Sequence, residues 1–392
     1  MERIASKASA MLSDILSFWK SLRDDDFGGY YGYVGQDLQI NRQAEKGCIL
    51  NSRILWFFSE AARLTGRQDL REEADHAYEF LTSYCLDDVH GGVFWSVTYD
   101  GQVADDTKHT YNQAFAIYAL SSYYLLTGNR RALEQAYKIF NIIESTCSDA
   151  EGYLEAFTRN WVPESNDKLS ENGVLADKTM NTLLHVFEGY SNLYRCENAP
   201  VVGDAMRRCL EIYQSRIYDP ALRQLRVFFD AHYHSILDLC SYGHDIEASW
   251  LFDAGTQLLG DSALSEPIAG INAELAEAVY ERAYRDHSVV NECETGKVDE
   301  TRVWWVQAEA VLGFLNQWQK SGEMKYRNAV ADILDYIQEK IVDKRQGSDW
   351  FWSVDRAGNP IPGKPIVDPW KCPYHSGRMC IELIRRDPEI YV

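Results

Sequence analysis

A chain of 392 residues, 46% hydrophobic and 25% charged, has the composition of a folded globular protein rather than a disordered one. Its formal charge of −20 argues against nucleic acid and anionic membrane surfaces as partners, because like charges repel. Nine cysteines without CxxC spacing suggest neither a zinc site nor a disulfide framework, and read as free thiols in a reducing, cytoplasmic setting.

The first segment, "MERIASKASAMLSDILSFWK", sets charges among apolar residues at helical spacing. It predicts an amphipathic helix around residues 5 to 22, not a signal peptide or membrane span. Helical segments of two kinds then alternate. One kind is dense in apolar residues: "RILWFFSEAARLTG", "YNQAFAIYALSSYYLLTG", "KTMNTLLHVFEGYSNLYR", "HDIEASWLFDAGTQLLG", "VWWVQAEAVLGFLNQWQKSG" and "YHSGRMCIELIRR". Successive copies start about 60 to 70 residues apart, and Gly66, Gly128, Gly260 and Gly322 close four of them as helix stops. The other kind is one-sided. In "KYRNAVADILDYIQEKIVD", Tyr326, Val330, Ile333, Leu334, Ile337 and Ile341 form one stripe and the charges take the opposite face.

Six nearly all-apolar helices alternating with one-sided ones predict two concentric layers, an all-α (α/α)6 barrel. The strand-like patches "GGYYGYV", "GGVFWSV", "LRVFFD" and "DWFWSV" fall in the long connections and predict short hairpins on one rim. No Pro-, Gly- or Ser-rich linker divides the chain, so residues 1–392 are expected to form one domain, and a monomer is the default expectation.

Strict alternation makes the inner helices run the same way, so their N-termini meet at one end. The polar residues of the apolar segments gather there: Arg53, Asn112, Asn181, His185, His244, Glu247, Trp305, Gln307 and His375. Helix N-termini disfavour imidazolium, so the histidines in that field are expected to be neutral bases near pH 7. Neutral histidines beside Arg53 suit removal of a proton next to a carbonyl and stabilisation of the enediolate that results. Glu247, one turn past His244, is placed to fix that ring's tautomer. Trp304 and Trp305 are adjacent on a helix, so one of them is expected to face the cavity. Trp370, in "VDPWKCPYH", is a candidate platform for a sugar face.

A lone histidine at a helix start is more often a hydrogen-bonding structural residue, and His76, His90, His109, His232, His234 and His287 are read that way. His185, His244 and His375 could in principle hold zinc. No HExxH motif appears and Arg53 would oppose a cation, so a metal is not expected.

The stretches "KGCILNSRILWFFSEAARL", "HTYNQAFAIYALSSYY", "ENGVLADKTMNTLLHVFE", "SYGHDIEASWL", "TRVWWVQAEAVLGF" and "PWKCPYHSGRMC" together resemble the N-acylglucosamine 2-epimerase superfamily, most closely its cellobiose 2-epimerase branch. The resemblance implies an (α/α)6 barrel and a cofactor-free enzyme that inverts C2 of the reducing-end glucose in β-1,4-linked disaccharides. It implies His244 and His375 as the acid/base pair, and His185 with Asn181 near the ring oxygen and hydroxyls. It also implies Arg53 on the C1 and C2 oxygens, Trp305 and Trp370 as stacking residues, Tyr111 as a pocket wall and Glu292 as a pocket carboxylate. Three rival readings stay open: a monosaccharide 2-epimerase or aldose–ketose isomerase, a glycoside hydrolase, and a non-catalytic sugar-binding protein. A hydrolase needs two facing carboxylates, and the mouths of these helices offer Glu247 as the main acid.

Overall fold

The computed structural model describes residues 3–166, 168, 169, 173–386 and 390. Among these residues twelve α-helices run in chain order: α1 (Ile4–Ser21), α2 (Cys48–Thr65), α3 (Gln68–Phe80), α4 (Thr110–Thr127), α5 (Arg130–Ile142) and α6 (Met180–Glu197) make the first half. The second half is α7 (Pro200–Ile212), α8 (Tyr242–Leu259), α9 (Ser262–Arg282), α10 (Trp304–Ser321), α11 (Met324–Tyr336) and α12 (Tyr374–Arg386). The even-numbered helices form the inner layer. Each packs on the next, and α12 packs on α2 to close the ring, while α1 packs outside α12 as the sixth outer helix. The barrel expected from the alternation of apolar and one-sided segments is present.

The periodicity explains the layers. Fifteen of the 18 residues of α2 are buried, from Cys48 to Ala62, because the helix has neighbours on every side. In α11, by contrast, only Tyr326, Ala329, Val330, Ile333 and Leu334 are buried, one stripe at helical spacing. Five inner helices are 18 residues long. They stop at left-handed residues, Gly66, Gly128, Asn198, Gly260 and Gly322, which turn the chain back toward the outer layer. Inner helices approach closely where glycine permits it: a Cβ on Gly189 of α6 would come within 2.7 Å of the Ala114 carbonyl oxygen of α4.

The rim above the inner N-termini carries short antiparallel pairs, and the expected hairpins are among them: Ser96–Val97 turns back onto Val103–Asp105 and Glu292–Glu294 onto Lys297–Asp299. Lys46–Gly47 pairs with Ser96–Val97, Lys108–His109 with Ala156–Phe157, and Lys178–Thr179 with Phe228–Phe229. Leu239–Ser241 pairs with Glu292–Glu294, and Arg302–Val303 with Ser353–Val354. A fully buried cation stands two residues before α2, α4, α6 and α10, namely Lys46, Lys108, Lys178 and Arg302, and Lys371 stands just before α12. Lys46 Nζ donates to Asp24 at 2.6 Å and Lys108 Nζ to Asp87 at 3.1 Å, anchoring each rim loop to an inner helix. Before α8 the cation is missing, and Cys240, bonded to Asp245, takes its place.

All nine cysteines are free thiols and seven are buried. No helix among the described residues is long and apolar enough to cross a membrane.

Candidate active site

At the N-terminal end of the inner layer lies a cavity of about 210 Å³, lined by Arg53 (α2), Tyr111 (α4), Asn181 and His185 (α6), His244 and Glu247 (α8), Trp304 and Trp305 (α10) and His375 (α12). Glu292, Trp352 and Trp370 complete its wall from the rim. Every residue expected at a substrate site therefore reaches one space. Asn112 and Gln307 do not line it. Asn112 donates to the Phe94 carbonyl at 2.8 Å, and Gln307 both accepts from the Val289 amide and donates to its carbonyl, so these amides pin rim loops to the barrel.

Both adjacent indoles line the cavity, where one was expected. Trp304 and Trp305 are the first two residues of α10, so their side chains splay at the helix mouth before a full turn separates them. The Trp305 ring lies 4.7 Å from the His244 ring and 5.4 Å from that of His375, and so touches both imidazoles. Gly243 makes room for it, since a Cβ there would collide with the indole. Trp304 packs 4.6 Å from Trp352.

The three histidines are held differently. His375 Nδ1 donates to Glu309 Oε1 at 2.7 Å, which leaves Nε2 bare as the basic nitrogen. His185 Nδ1 faces Glu188 Oε2 at 2.9 Å in the same way. His244 Nδ1 meets Ser241 Oγ at 2.7 Å. Glu247 is not the partner of His244, contrary to expectation. It turns down to Arg378, whose Nη2 donates to Glu247 Oε1 at 2.5 Å, because the buried guanidinium outcompetes a neutral imidazole for a carboxyl oxygen.

Burial, more than the helix ends, keeps these imidazoles uncharged. It lowers His244 to about 3, with a further push from His185. It also brings His375 well below its ordinary value, assisted by Arg378 and Arg53. For His185 burial outweighs the pull of Glu188. Arg53 is the complement. Its Nη2 donates to the Tyr111 hydroxyl at 2.7 Å, and its guanidinium lies over the Phe115 ring at 4.1 Å. Its hydrogen bonds go to Tyr111 and Cys372, neither a carboxylate, so its charge is left for oxygens inside the cavity.

Beneath the histidines sits a cluster that the sequence reading missed. Arg378 donates to Glu188 Oε1 at 2.5 Å, to Glu247 Oε1 at 2.5 Å and to Glu309 Oε1 at 2.6 Å. Trp250 Nε1 donates to Glu309 Oε2 at 3.0 Å, and the Tyr374 hydroxyl to Glu188 Oε2 at 2.5 Å. Burial pushes Glu188 up, but Arg378 and His185 overcome it and bring it down to about 2. Burial and the charge of Glu309 push Glu247 well above its ordinary value. A signal for this cluster was available: one Arg and three Glu inside apolar helices must find one another, because isolated buried charges are not tolerated.

Glu247, Glu309 and His375 also offer ligand atoms within 4.8 Å of one another. The guanidinium of Arg378 bonds both carboxyls and already occupies the position a cation would take. Glu188 and Glu309 are engaged by Arg378 and the histidines and do not line the cavity, so neither stands free as a member of a hydrolase pair. Four polar atoms of cavity residues lack a partner among the described residues: Arg53 Nε, Asn181 Oδ1, Glu247 Oε2 and Trp304 Nε1. The six histidines read as structural do not line the cavity, and three sit in exposed pairs, His232 with Glu151, His234 with Asp230 and His287 with Asp332.

A family model described as N-acylglucosamine 2-epimerase matches residues 29–376. The chain belongs to the N-acylglucosamine 2-epimerase family. Within it, the chain is 50% identical over 392 residues to the cellobiose 2-epimerase of Eubacterium cellulosolvens, covering 96% of each. It is 45% identical over 376 residues to the cellobiose 2-epimerase of Ruminococcus albus, covering 96% of this chain and 97% of that one. The solved cellobiose 2-epimerase of Bacillus thermoamylovorans B4167 superposes with a TM-score of 0.95 at 42% identity, covering 98% of this chain and 99% of the other.

Proposed function

We propose that the protein is a cellobiose 2-epimerase, inverting C2 of the reducing-end glucose of β-1,4-linked disaccharides. Cellobiose becomes glucosyl-mannose and lactose becomes epilactose. The observation that carries the reading is the convergence of uncharged His244, His375 and His185 with a carboxylate-free Arg53 on one indole-walled cavity. Likeness to cellobiose 2-epimerases over nearly the whole chain supports the disaccharide as substrate.

The substrate ring opens, and the C1 aldehyde acidifies the C2 proton. His375 is the better base, because Glu309 holds its Nδ1–H and steadies the imidazolium that forms. Its Nε2 takes the C2 proton, and Arg53 meets the charge developing on the C1 and C2 oxygens. C2 then regains a proton on its opposite face, from His244 across the cavity or after the intermediate turns, and the ring closes as the mannose epimer. His185 and Asn181 attend the ring oxygen and hydroxyls, Tyr111 forms a wall, and Glu292, Trp304, Trp305 and Trp370 hold the sugar faces and edges. Free thiols support a reducing, cytoplasmic setting, and a monomer is the proposed working unit.

Incubation with cellobiose in heavy water tests the reading: glucosyl-mannose carrying deuterium at C2 is the expected product. His375→Asn should leave disaccharide binding largely intact and abolish turnover. Turnover of glucose, mannose or N-acetylglucosamine but not of cellobiose would overturn the disaccharide assignment, and a ketose product would make the enzyme an aldose–ketose isomerase.

A further inference from the structure

Of the three cavity histidines, His244 alone has no carboxyl behind it. Glu309 and Glu188 face Nδ1 of His375 and His185, and a carboxylate can only accept, so both rings carry their hydrogen on Nδ1 and leave Nε2 bare. The partner of His244 is the Ser241 hydroxyl, 2.7 Å from Nδ1, and a hydroxyl can give a hydrogen as well as take one. Ser241 is the N-cap of α8, where a serine oxygen ordinarily accepts from an amide of the first turn. It makes no such bond, and its oxygen turns to the ring of His244 instead. Thr179, at the same station before α6, does cap: its Oγ1 accepts from the Thr182 amide at 3.0 Å. Helix α8 gives up a cap bond to hold an imidazole.

Two observations choose the direction of the Ser241–His244 bond. Oγ has no other partner among the described residues, so its hydrogen finds an acceptor there only in Nδ1. The ring is neutral, pushed down to about 3 by burial, so one of its nitrogens is bare. With Nδ1 the bare one, Nε2 carries its hydrogen into the cavity that His244 lines. The opposite tautomer would aim two bare nitrogens, those of His244 and His375, at a substrate that gathers negative charge.

We propose that Ser241 is a positioning residue: by donating to Nδ1 it fixes His244 as the Nε2–H tautomer, so that a neutral N–H meets the charge on O1 while His375 takes the proton from C2. This inference rests on the epimerase reading. The C2–H electron pair becomes the C1=C2 bond, the carbonyl π pair moves onto O1, and His375 holds the proton as imidazolium. No proton leaves His244. A neutral imidazole polarises a carbonyl by its hydrogen bond alone, and here it works beside Arg53. C2 regains its proton from His375 after the intermediate turns, and the electron pairs shift back. The Trp305 ring, 4.7 Å from that of His244, holds the imidazole from its other side, which leaves Ser241 to choose the tautomer.

The test reads the tautomer and the rate separately. In the full chain carrying isotope-labelled histidine, the ring-nitrogen magnetic resonance signals of His244 are those absent from His244→Gln. The expected pattern is a hydrogen on Nε2 and a bare Nδ1 in the wild type and in Ser241→Thr. Ser241→Asp should show the reverse, because its carboxylate can only accept. On cellobiose, or on whichever aldose the wild type epimerises, Ser241→Asp should lose about 10²- to 10³-fold in kcat with KM unchanged to about threefold. The conservative Ser241→Thr should retain most of the wild-type kcat. Ser241→Ala should fall between the two and melt with the wild type, because no cap bond is lost. A tether that merely holds the ring predicts the other order, since aspartate keeps a bond to Nδ1 and alanine does not. A wild-type His244 with its hydrogen on Nδ1 overturns the proposal, and so does a folded Ser241→Asp protein at least as fast as Ser241→Ala. An inactive wild type refutes the epimerase reading and this role with it, whereas an active wild type of the wrong tautomer refutes the inference alone.

Discussion

Glu309→Gln removes one negative charge from behind His375. The amide keeps the shape of the carboxyl and its one oxygen can still accept from His375 and Arg378, at the loss of the bond from Trp250, and Arg378 keeps Glu188 and Glu247 as partners. In the wild type, Glu309 Oε1 is 2.7 Å from His375 Nδ1, which places the centres of charge about 4 Å apart once the imidazole is protonated. At an effective dielectric of about 20, that attraction is worth about 4 kcal/mol. The repulsion from Arg378 is present in both proteins and cancels in the comparison. With the C2 proton about half transferred in the transition state, about 2 kcal/mol of stabilisation is lost, a fall in kcat of about 30-fold. Glu309 does not line the cavity, so KM should stay within about threefold of wild type. Initial rates of cellobiose epimerisation, followed by chromatographic separation of the two disaccharides, measure both constants. A well-folded Glu309→Gln protein with kcat within threefold of wild type would refute the assignment of His375 as the base that Glu309 supports.

Two further outcomes concern stability. Lys46→Met strands Asp24, whose carboxyl has no other cation among the described residues, and should cost about 3–5 kcal/mol in denaturant melts. Lys108→Met should cost less, because Asp87 keeps Arg159 at 2.9 Å; equal losses would contradict the account of these clamps. Acid acts through the histidines. His244 falls to about 3 in the folded protein against an ordinary value of 6.5, so below pH 6.5 the unfolded chain takes up a proton that the folded protein refuses. Its contribution is fully present above that pH and is lost as pH falls toward about 3, and His375 acts in the same direction. His244→Gln should flatten the decline in unfolding free energy over this window, and an unchanged slope would argue against a neutral imidazole.

The fold was legible because it is written in a period. A buried-all-round helix such as α2 and a one-sided helix such as α11 differ in composition, and four glycines mark where inner helices stop. The cavity residues were legible because they are polar in apolar company. Their partners were not. Asn112 stands out as clearly as Asn181 in one dimension, yet it bonds a rim carbonyl, because which face of a helix meets the cavity depends on neighbours remote in sequence. His244 and Glu247 share a helix face, so a local pairing looked natural, but Arg378 on α12 arrives from 131 residues away and takes the carboxyl. The rim strands are two or three residues long, and one strand of each pair that leads into an inner helix is cut short by that helix.

The packing of α1 outside α12, and of α12 on α2, has a consequence for biosynthesis. A nascent chain can assemble α2 to α11 as they leave the ribosome, but the ring keeps a gap until the last helix docks. That helix brings His375 and Arg378 together, so the event that completes the wall also switches on the chemistry. Partly made chains are thereby silent, and protease resistance and turnover should appear together during refolding.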